Sequence, residues 1–270
     1  MPGPKALRMS TNTAGAAIDW SFADAAVCIT TGDVERIASS EAAFAATGVA
    51  PTFHRAERDE EDGARGCYTS HIEVIRDARD RGLSNLLVFE DNVRRGPRFC
   101  AEMVGQVRGF VEAAGGNFDV LYVGFFHWVP GLRVEPLEGP LGEACGGAVF
   151  RLASRSAVGT TAYLLTRRGM DALLAAHDRD GYTRPIDNLM ARELPAAYGA
   201  IPVLFHRSAG ARSLVNPALD APRKLLFSDA VQPLMEDVLR TFRTADAVFY
   251  PFYALVAWLV IGTALYGPLL

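Results

Sequence analysis

The sequence predicts an α/β domain built on a mostly parallel sheet flanked by helices, and three stretches carry that expectation. Leu86-Leu87-Val88-Phe89 is an apolar run of strand length that ends abruptly in Glu90-Asp91-Asn92. A strand buried on both faces reads as such a continuous run, and open α/β sheets place their chemistry at the carboxyl ends of these strands. Ala25-Ala26-Val27-Cys28-Ile29-Thr30 has the same character. Thr31-Gly32-Asp33 follows, where Asp33 can cap a helix from Val34 to about Thr47. Asp119-Val120-Leu121-Tyr122-Val123-Gly124 is a third buried strand, and its final glycine lets a ligand or another backbone approach closely.

Length and charge narrow the function classes. The 270 residues suffice for one large α/β domain or two small ones, and half of them are hydrophobic, enough for a sizeable core. With 27 basic and 31 acidic residues the net charge is -4, and no basic stripe appears, which argues against a nucleic-acid partner. Cys28, Cys67, Cys100 and Cys145 lie far apart with no CxxC. That spacing matches neither a zinc ribbon nor a dense disulfide scaffold, and it fits reduced thiols in a cytosolic environment.

Taken in order, residues 1–22 mix small and polar types without periodicity and lack the features of a signal peptide, so they read as a flexible N-terminal tail. Thr52 to Ala56 is a second short strand, and Glu57 to Arg65 reads as a solvated charged loop. Ile72, Val74, Ile75, Ala78 and Leu83 recur at helical spacing, with Thr69 or Ser70 able to cap the helix and Gly82 closing it. Phe99 to Ala114 is an amphipathic helix. Phe125 to Ser156 is rich in Gly and Pro, with a short strand at Ala148–Leu152, and a segment of this length is usually functional or mobile. Thr161 to Thr166 is a strand whose Thr166 caps a helix from Arg167 to Ala176. Pro185-Ile186-Asp187-Asn188 opens a helix through about Leu194. Ala200 to Phe205 reads as a late edge strand, because Pro202 cannot donate a ladder hydrogen bond.

The expected division is a tail over 1–22, a main domain over 23–218, a linker helix over 219–246 and an apolar segment over 247–270. From Ala247 onward there is no charge, and aromatic residues such as Phe249, Tyr253 and Trp258 crowd among aliphatic ones. Such a stretch reads as a C-terminal transmembrane anchor, with the main domain on the cytosolic side. The competing reading is a hydrophobic helix docked on the domain, its start bent by Pro251.

Four blocks in order carry a resemblance. Gly66-Cys67-Tyr68-Thr69-Ser70-His71 resembles the GC-x-x-SH block of glycosyltransferase family 25, and Leu86 to Asn92 resembles its hydrophobic strand ending in Glu-Asp-Asp. Phe118 to Gly124 is the third block, and Ala162 to Leu174 followed by Pro185-Ile186-Asp187 is the fourth. The resemblance spans roughly 25 to 215. It implies a GT-A type fold, a Rossmann-like sheet that binds a nucleotide-sugar with a divalent metal at a strand end. It also implies inverting transfer of a hexose, usually galactose from UDP-galactose, to a glycan or glycoprotein acceptor. On this reading Glu90 and Asp91 hold Mn²⁺ or Mg²⁺, Thr30, Arg36, Ser70, His71, Glu90 and Asn92 contact the donor, and Asp187 and Asp91 are catalytic. Two departures stand out. Asn92 replaces the third acid of the motif, and Thr30-Thr31 stands where the family often shows Asn-Leu.

The chemistry agrees with that assignment. A departing nucleoside diphosphate builds charge on its phosphate oxygens, which a metal stabilises, and hard carboxylates suit Mn²⁺ or Mg²⁺ where His and Cys suit zinc. Glu90 and Asp91 can equally be turn formers after a strand. Asp187 can take the acceptor proton, or simply stand at a helix N-terminus favoured by the dipole. Asp119 is the second candidate base. Cys67 and His71, four apart, could share a helix face as zinc ligands or serve structure. His206 and Ser213 could reach a pyrophosphate or serve a loop, and Trp128 could stack on a sugar or fill the core. A second function class is a catalytically inactive, membrane-anchored binder of nucleotide-sugars or glycans, motivated by Asn92. Another Rossmann-like nucleotide enzyme would need a glycine-rich phosphate loop, and Thr30-Thr31-Gly32-Asp33 supplies one glycine.

Overall fold

The computed structural model describes residues 10–11, 17–127, 129–153, 158–208, 228, 230–247 and 250. The chain opens with β1 (Ser10–Thr11) and β2 (Ala17–Ile18), paired antiparallel. Then come β3 (Ala25–Thr30), α1 (Val34–Thr47), β4 (Thr52–Arg55), α2 (Gly63–Asp80), β5 (Asn85–Glu90), β6 (Val93–Arg95), α3 (Ala101–Ala114) and β7 (Val120–Gly124). Next are β8 (Arg133–Pro136), α4 (Gly139–Ala144), β9 (Val149–Ala153), β10 (Ala162–Thr166) and α5 (Arg167–Asp180). The described elements finish with α6 (Ile186–Glu193), β11 (Ala197–Ala200), β12 (Phe205–Arg207) and α7 (Val231–Phe242).

Eight strands form one sheet in the order β4-β3-β5-β10-β7-β11-β9-β8. β3 pairs parallel with β4 and β5, and β7 pairs parallel with β11. β10 runs against both β5 and β7, and β9 runs against β11 and β8. All strands but β9 and β10 therefore share one direction, in keeping with the mostly parallel α/β sheet expected from the sequence. The reversal of β10 has a consequence for the site. Its amino end lies at the edge where β3, β5 and β7 finish, so Thr160 and Thr161 join that edge.

Successive strand residues face opposite sides. Leu86 and Val88 share one core layer with Tyr68, Ile72 and Ile75 of α2 and Met170 of α5. Leu87 and Phe89 share the other with Phe44 of α1 and Val107 and Phe110 of α3. A strand between two helical layers must be apolar at every position, which is why this run shows no alternation. Gly124 ends β7 without a side chain because a Cβ there would lie 2.6 Å from the Phe205 carbonyl oxygen. The approach expected at that glycine is made by another backbone.

Several expectations change. Ile18, Trp20 and Phe22 of the supposed flexible tail belong to the core: all three are buried, the Trp20 indole Nε1 donates to the Thr47 carbonyl at 3.0 Å, and its ring packs on Phe22, Phe99 and Phe205. The last three residues of the charged loop 57–65 are helical, because Asp62 caps α2 by accepting from Ala64 N and Arg65 N at 3.0 and 3.1 Å. Thr69 and Ser70 consequently lie inside α2 and cap nothing. Residues 200–205 are not one edge strand. β11 ends at Ala200 between β7 and β9, and β12 pairs with β6 instead, because Pro202 has no N–H to continue the ladder.

The stretch 219–246 contains α7, which is packed onto the domain rather than extended from it. Met235, Glu236 and Leu239 are buried, and Glu236 Oε1 accepts from Val203 N at 3.2 Å and pairs with His206 Nε2 at 2.8 Å. Apart from Ala247 and Tyr250, the expected anchor over 247–270 lies outside the described residues. Among the described residues no helix is long and apolar enough to cross a membrane.

The Phe89 ring meets Phe44 and Phe205 at centroid distances of 5.0 and 4.9 Å in edge-on geometry, and it is fully buried. Phe89→Ala is expected to cost about 3–5 kcal/mol, read as a lowered urea midpoint with little change in slope.

Candidate functional site

The edge formed by the ends of β3 and β5 meets α2, α6 and β12 in a cleft of about 330 Å³. Thr30, Arg36, Ser70, His71, Glu90, Asp91, Asn92 and Asp187 all line it, so the residues singled out in the sequence come together. Each arrives by a local rule. Asp33 Oδ1 accepts from Glu35 N and Arg36 N, both at 3.0 Å, which starts α1 and sets Arg36 in its first turn beside the strand ends. Asp91 N donates to the Ile29 carbonyl at 3.1 Å, locking the end of β5 to β3.

Asp91 is buried and both its oxygens accept hydrogen bonds. Oδ2 accepts from the Thr30 hydroxyl at 2.7 Å, and Oδ1 accepts from Arg36 Nε at 2.8 Å and also from Arg36 Nη2. A carboxylate whose charge is neutralised by a guanidinium is a poor ligand for a cation, and it serves here to hold Arg36 at the cleft.

Glu90 and Asn92 form the rest of the motif. Glu90 Oε2 accepts from Asn92 Nδ2 at 2.8 Å, and Oε1 accepts from the Thr160 hydroxyl. Burial works to raise the Glu90 carboxyl, yet His71, the Thr160 hydroxyl, Arg207 and the Asn92 amide together hold it below its ordinary value. Asn92 Oδ1 is buried without a hydrogen-bond partner. A buried carbonyl oxygen with an unused acceptor site is an oxygen donor available to a hard cation, so Glu90 and Asn92 fit such an ion better than Asp91 does.

His71 lies on α2, four residues after Cys67, so both face the same way. Its Nδ1 meets the Tyr163 hydroxyl at 2.6 Å, and its Nε2 is buried without a partner. Burial pushes His71 down to about 4, so the ring is neutral at neutral pH. Ser70 lines the cleft, but its hydroxyl donates to the Gly66 carbonyl at 2.8 Å.

Asp187 stands in the first turn of α6, where Oδ1 accepts from Asn188 N at 2.8 Å and from Asn188 Nδ2 at 3.3 Å. Burial first, and then the nearby Glu90 charge, raise its proton affinity. That is the change a general base requires.

Other candidates lie elsewhere. Asp119 sits at the amino end of β7, where it pairs with Arg168 Nε at 2.8 Å and accepts from Ala196 N at 2.8 Å, a structural task. His206 turns inward to Glu236, with the buried His127 ring 6.2 Å away. Trp128 and Ser213 lie outside the described residues. Sequence reasoning missed Thr160, Arg207 and Phe126, which also line the cleft. Thr160 precedes a reversed strand and Arg207 ends the β6–β12 ribbon, and neither placement has a signal in the sequence.

No family model matches the chain. Over 114 residues, 42% of the chain, it is 32% identical to the Bos taurus protein named "Probable inactive glycosyltransferase 25 family member 3", and the match spans 18% of that relative's length. The resemblance to glycosyltransferase family 25 is thus borne out over that stretch. Among solved structures, the chain is similar to a glycosyltransferase involved in the glycosylation of the major capsid of PBCV-1. The TM-score is 0.42 at 11% identity, covering 75% of this chain and 97% of that one. It is also similar to an inositol-1-phosphate CTP transferase from T. maritima, with a TM-score of 0.37 at 11% identity over 80% and 96% of the two chains.

Two buried histidines tie stability to pH. Burial holds both His71 and His127 at about 4 in the folded chain against an ordinary value of 6.5. Below 6.5 the unfolded chain binds more protons than the folded one, so stability falls as pH drops from about 6.5 and the loss is complete near 4. Each histidine contributes up to roughly 3 kcal/mol of that loss. Melting temperatures measured from pH 7.5 to 4.5 should fall across this window, and His127→Gln should flatten the slope.

Proposed function

We propose that this chain is a metal-dependent, inverting glycosyltransferase that moves a hexose, galactose favoured, from a UDP-sugar to a hydroxyl of a glycan or glycoprotein. The observation that supports the reading best is the meeting, in one cleft, of Glu90, the Asp91-held Arg36, Arg207 and a second carboxyl of raised proton affinity, Asp187. The partial match to the family 25 relative supports the same class.

The residues divide the work by charge. Arg36 and Arg207 bring guanidinium donors to the cleft that suit a diphosphate, and Asp91 holds Arg36 in place. Mn²⁺ or Mg²⁺, when bound, would stabilise the charge that develops on the leaving diphosphate, with Glu90 and Asn92 as the oxygen donors that fit. Asp187 accepts the proton of the acceptor hydroxyl as that oxygen attacks the anomeric carbon from the face opposite the leaving group.

A second reading has its own support. Asn92 brings no charge to the motif, and the Asp91 charge is already paired. A protein with this arrangement could bind a nucleotide-sugar and not turn it over, and the matched relative is itself named as inactive.

Hydrolysis of a panel of UDP-sugars, with Mn²⁺ and with chelator, separates the two. Metal-dependent turnover of one sugar that falls about 10²–10⁴-fold in Asp187→Asn supports transfer. In that variant the melting temperature should hold or rise, because a half-buried carboxylate near the Glu90 charge is removed. UDP binding without turnover of any donor, with turnover appearing in Asn92→Asp, would establish the binding reading instead.

A further inference from the structure

Glu90, at the strand end, also belongs to a second donor set of a different chemical kind, which it shares with two residues of α2. Cys67 Sγ, a ring nitrogen of His71 and a carboxylate oxygen of Glu90 all lie within 4.8 Å of one another, the one such trio among the described residues. All three line the cleft. We propose that Cys67, His71 and Glu90 bind a borderline divalent transition metal of the zinc class, with a fourth position open to the cleft.

Three features support this beyond proximity. His71 is 1% exposed, and its Nε2 has no hydrogen-bond partner, although an unpaired buried nitrogen is costly. A metal bond at Nε2 removes that cost. Nδ1 then carries the hydrogen and donates to the Tyr163 hydroxyl, 2.6 Å away, an arrangement that orients metal-binding imidazoles generally. Glu90 is likewise steadied on both oxygens, by Asn92 and by Thr160, and each oxygen keeps an acceptor site in reserve. The spacing is close to what is needed. A tetrahedral site with bonds of 2.0–2.3 Å has donor-to-donor edges of roughly 3.5 Å, so modest side-chain rotation on α2 closes the trio.

The donor types decide the metal. A thiolate and an imidazole select zinc or cobalt over magnesium, calcium or manganese, and three protein ligands with a free position are the pattern of sites that bind a water or substrate atom. Binding displaces the Cys67 thiol proton to solvent, so occupancy falls as pH drops. The proposal does not rest on glycosyl transfer and would hold if the chain transfers nothing.

Titration of the full, reduced chain with Co²⁺ tests it without any nucleotide present. The expected result is one tightly held equivalent with a near-ultraviolet sulfur-to-cobalt charge-transfer band, displaced by Zn²⁺ and not by excess Mn²⁺. Cys67→Ser should remove the band, His71→Gln should weaken binding by about 10–100-fold or more, and Cys100→Ser should change neither. A zinc-induced rise in melting temperature in the parent chain, absent in His71→Gln, provides a second readout if Cys67→Ser folds poorly. Co²⁺ binding without the band, a band that survives Cys67→Ser, or displacement by Mn²⁺ at equal concentration would overturn the assignment.

Discussion

Burial of β5 on both faces is the constraint from which the site follows. A strand sealed between α2 and α5 on one side and α1 and α3 on the other has no room for charge until it reaches the edge of the sheet. Glu90, Asp91 and Asn92 are the first residues past that seal. They are still largely enclosed, so each must find partners nearby or go unsatisfied. Thr30 and Arg36 come from the neighbouring β3–α1 unit and Thr160 from the turn before β10, while His71 comes from the helix above. The cleft is therefore the place where the core runs out and the adjoining elements supply the polar groups that its end demands.

Electrostatic balance then separates residues that look equivalent. Glu90 and Asp91 are adjacent acids, but Asp91 is paired with a guanidinium while Glu90 has only neutral hydrogen-bond donors on its two oxygens. Glu90 accordingly remains the carboxylate with charge to offer a cation, and its field helps to raise the proton affinity of Asp187 across the cleft. Environment assigns different tasks to two carboxylates that the sequence places side by side.

The same logic accounts for α7. A helix carrying Glu236 among Met235 and Leu239 would be unstable against an apolar surface alone. It docks because His206 and the Val203 amide meet that carboxylate, which explains why His206 faces the interior and not the cleft. A residue judged from its position after a strand can point either way, and here a helix some thirty residues later decides it.

Much was legible in the order of residues, and the legible part shares one physical cause. Continuous apolar runs bounded by capping residues set β3, α1, β5, β7 and β10, because the hydrophobic effect and local capping act over a few residues. Three of the four blocks likewise hold residues that meet in the cleft, among them His71, Glu90 and Asp187. What the tertiary structure alone decided depends on strand direction and long-range pairing. The reversal of β10 brings Thr160 to Glu90 and Tyr163 to His71, and the β6–β12 ribbon brings Arg207 to the rim. Asp62, not Thr69 or Ser70, begins α2, because a cap is selected by the backbone it can satisfy. The sequence by itself determined where the chain is apolar, where it turns and which acids end a strand. Which of those acids keeps its charge, and which histidine faces the cleft, was decided by neighbours distant in sequence, because a buried polar group takes its state from whatever it touches.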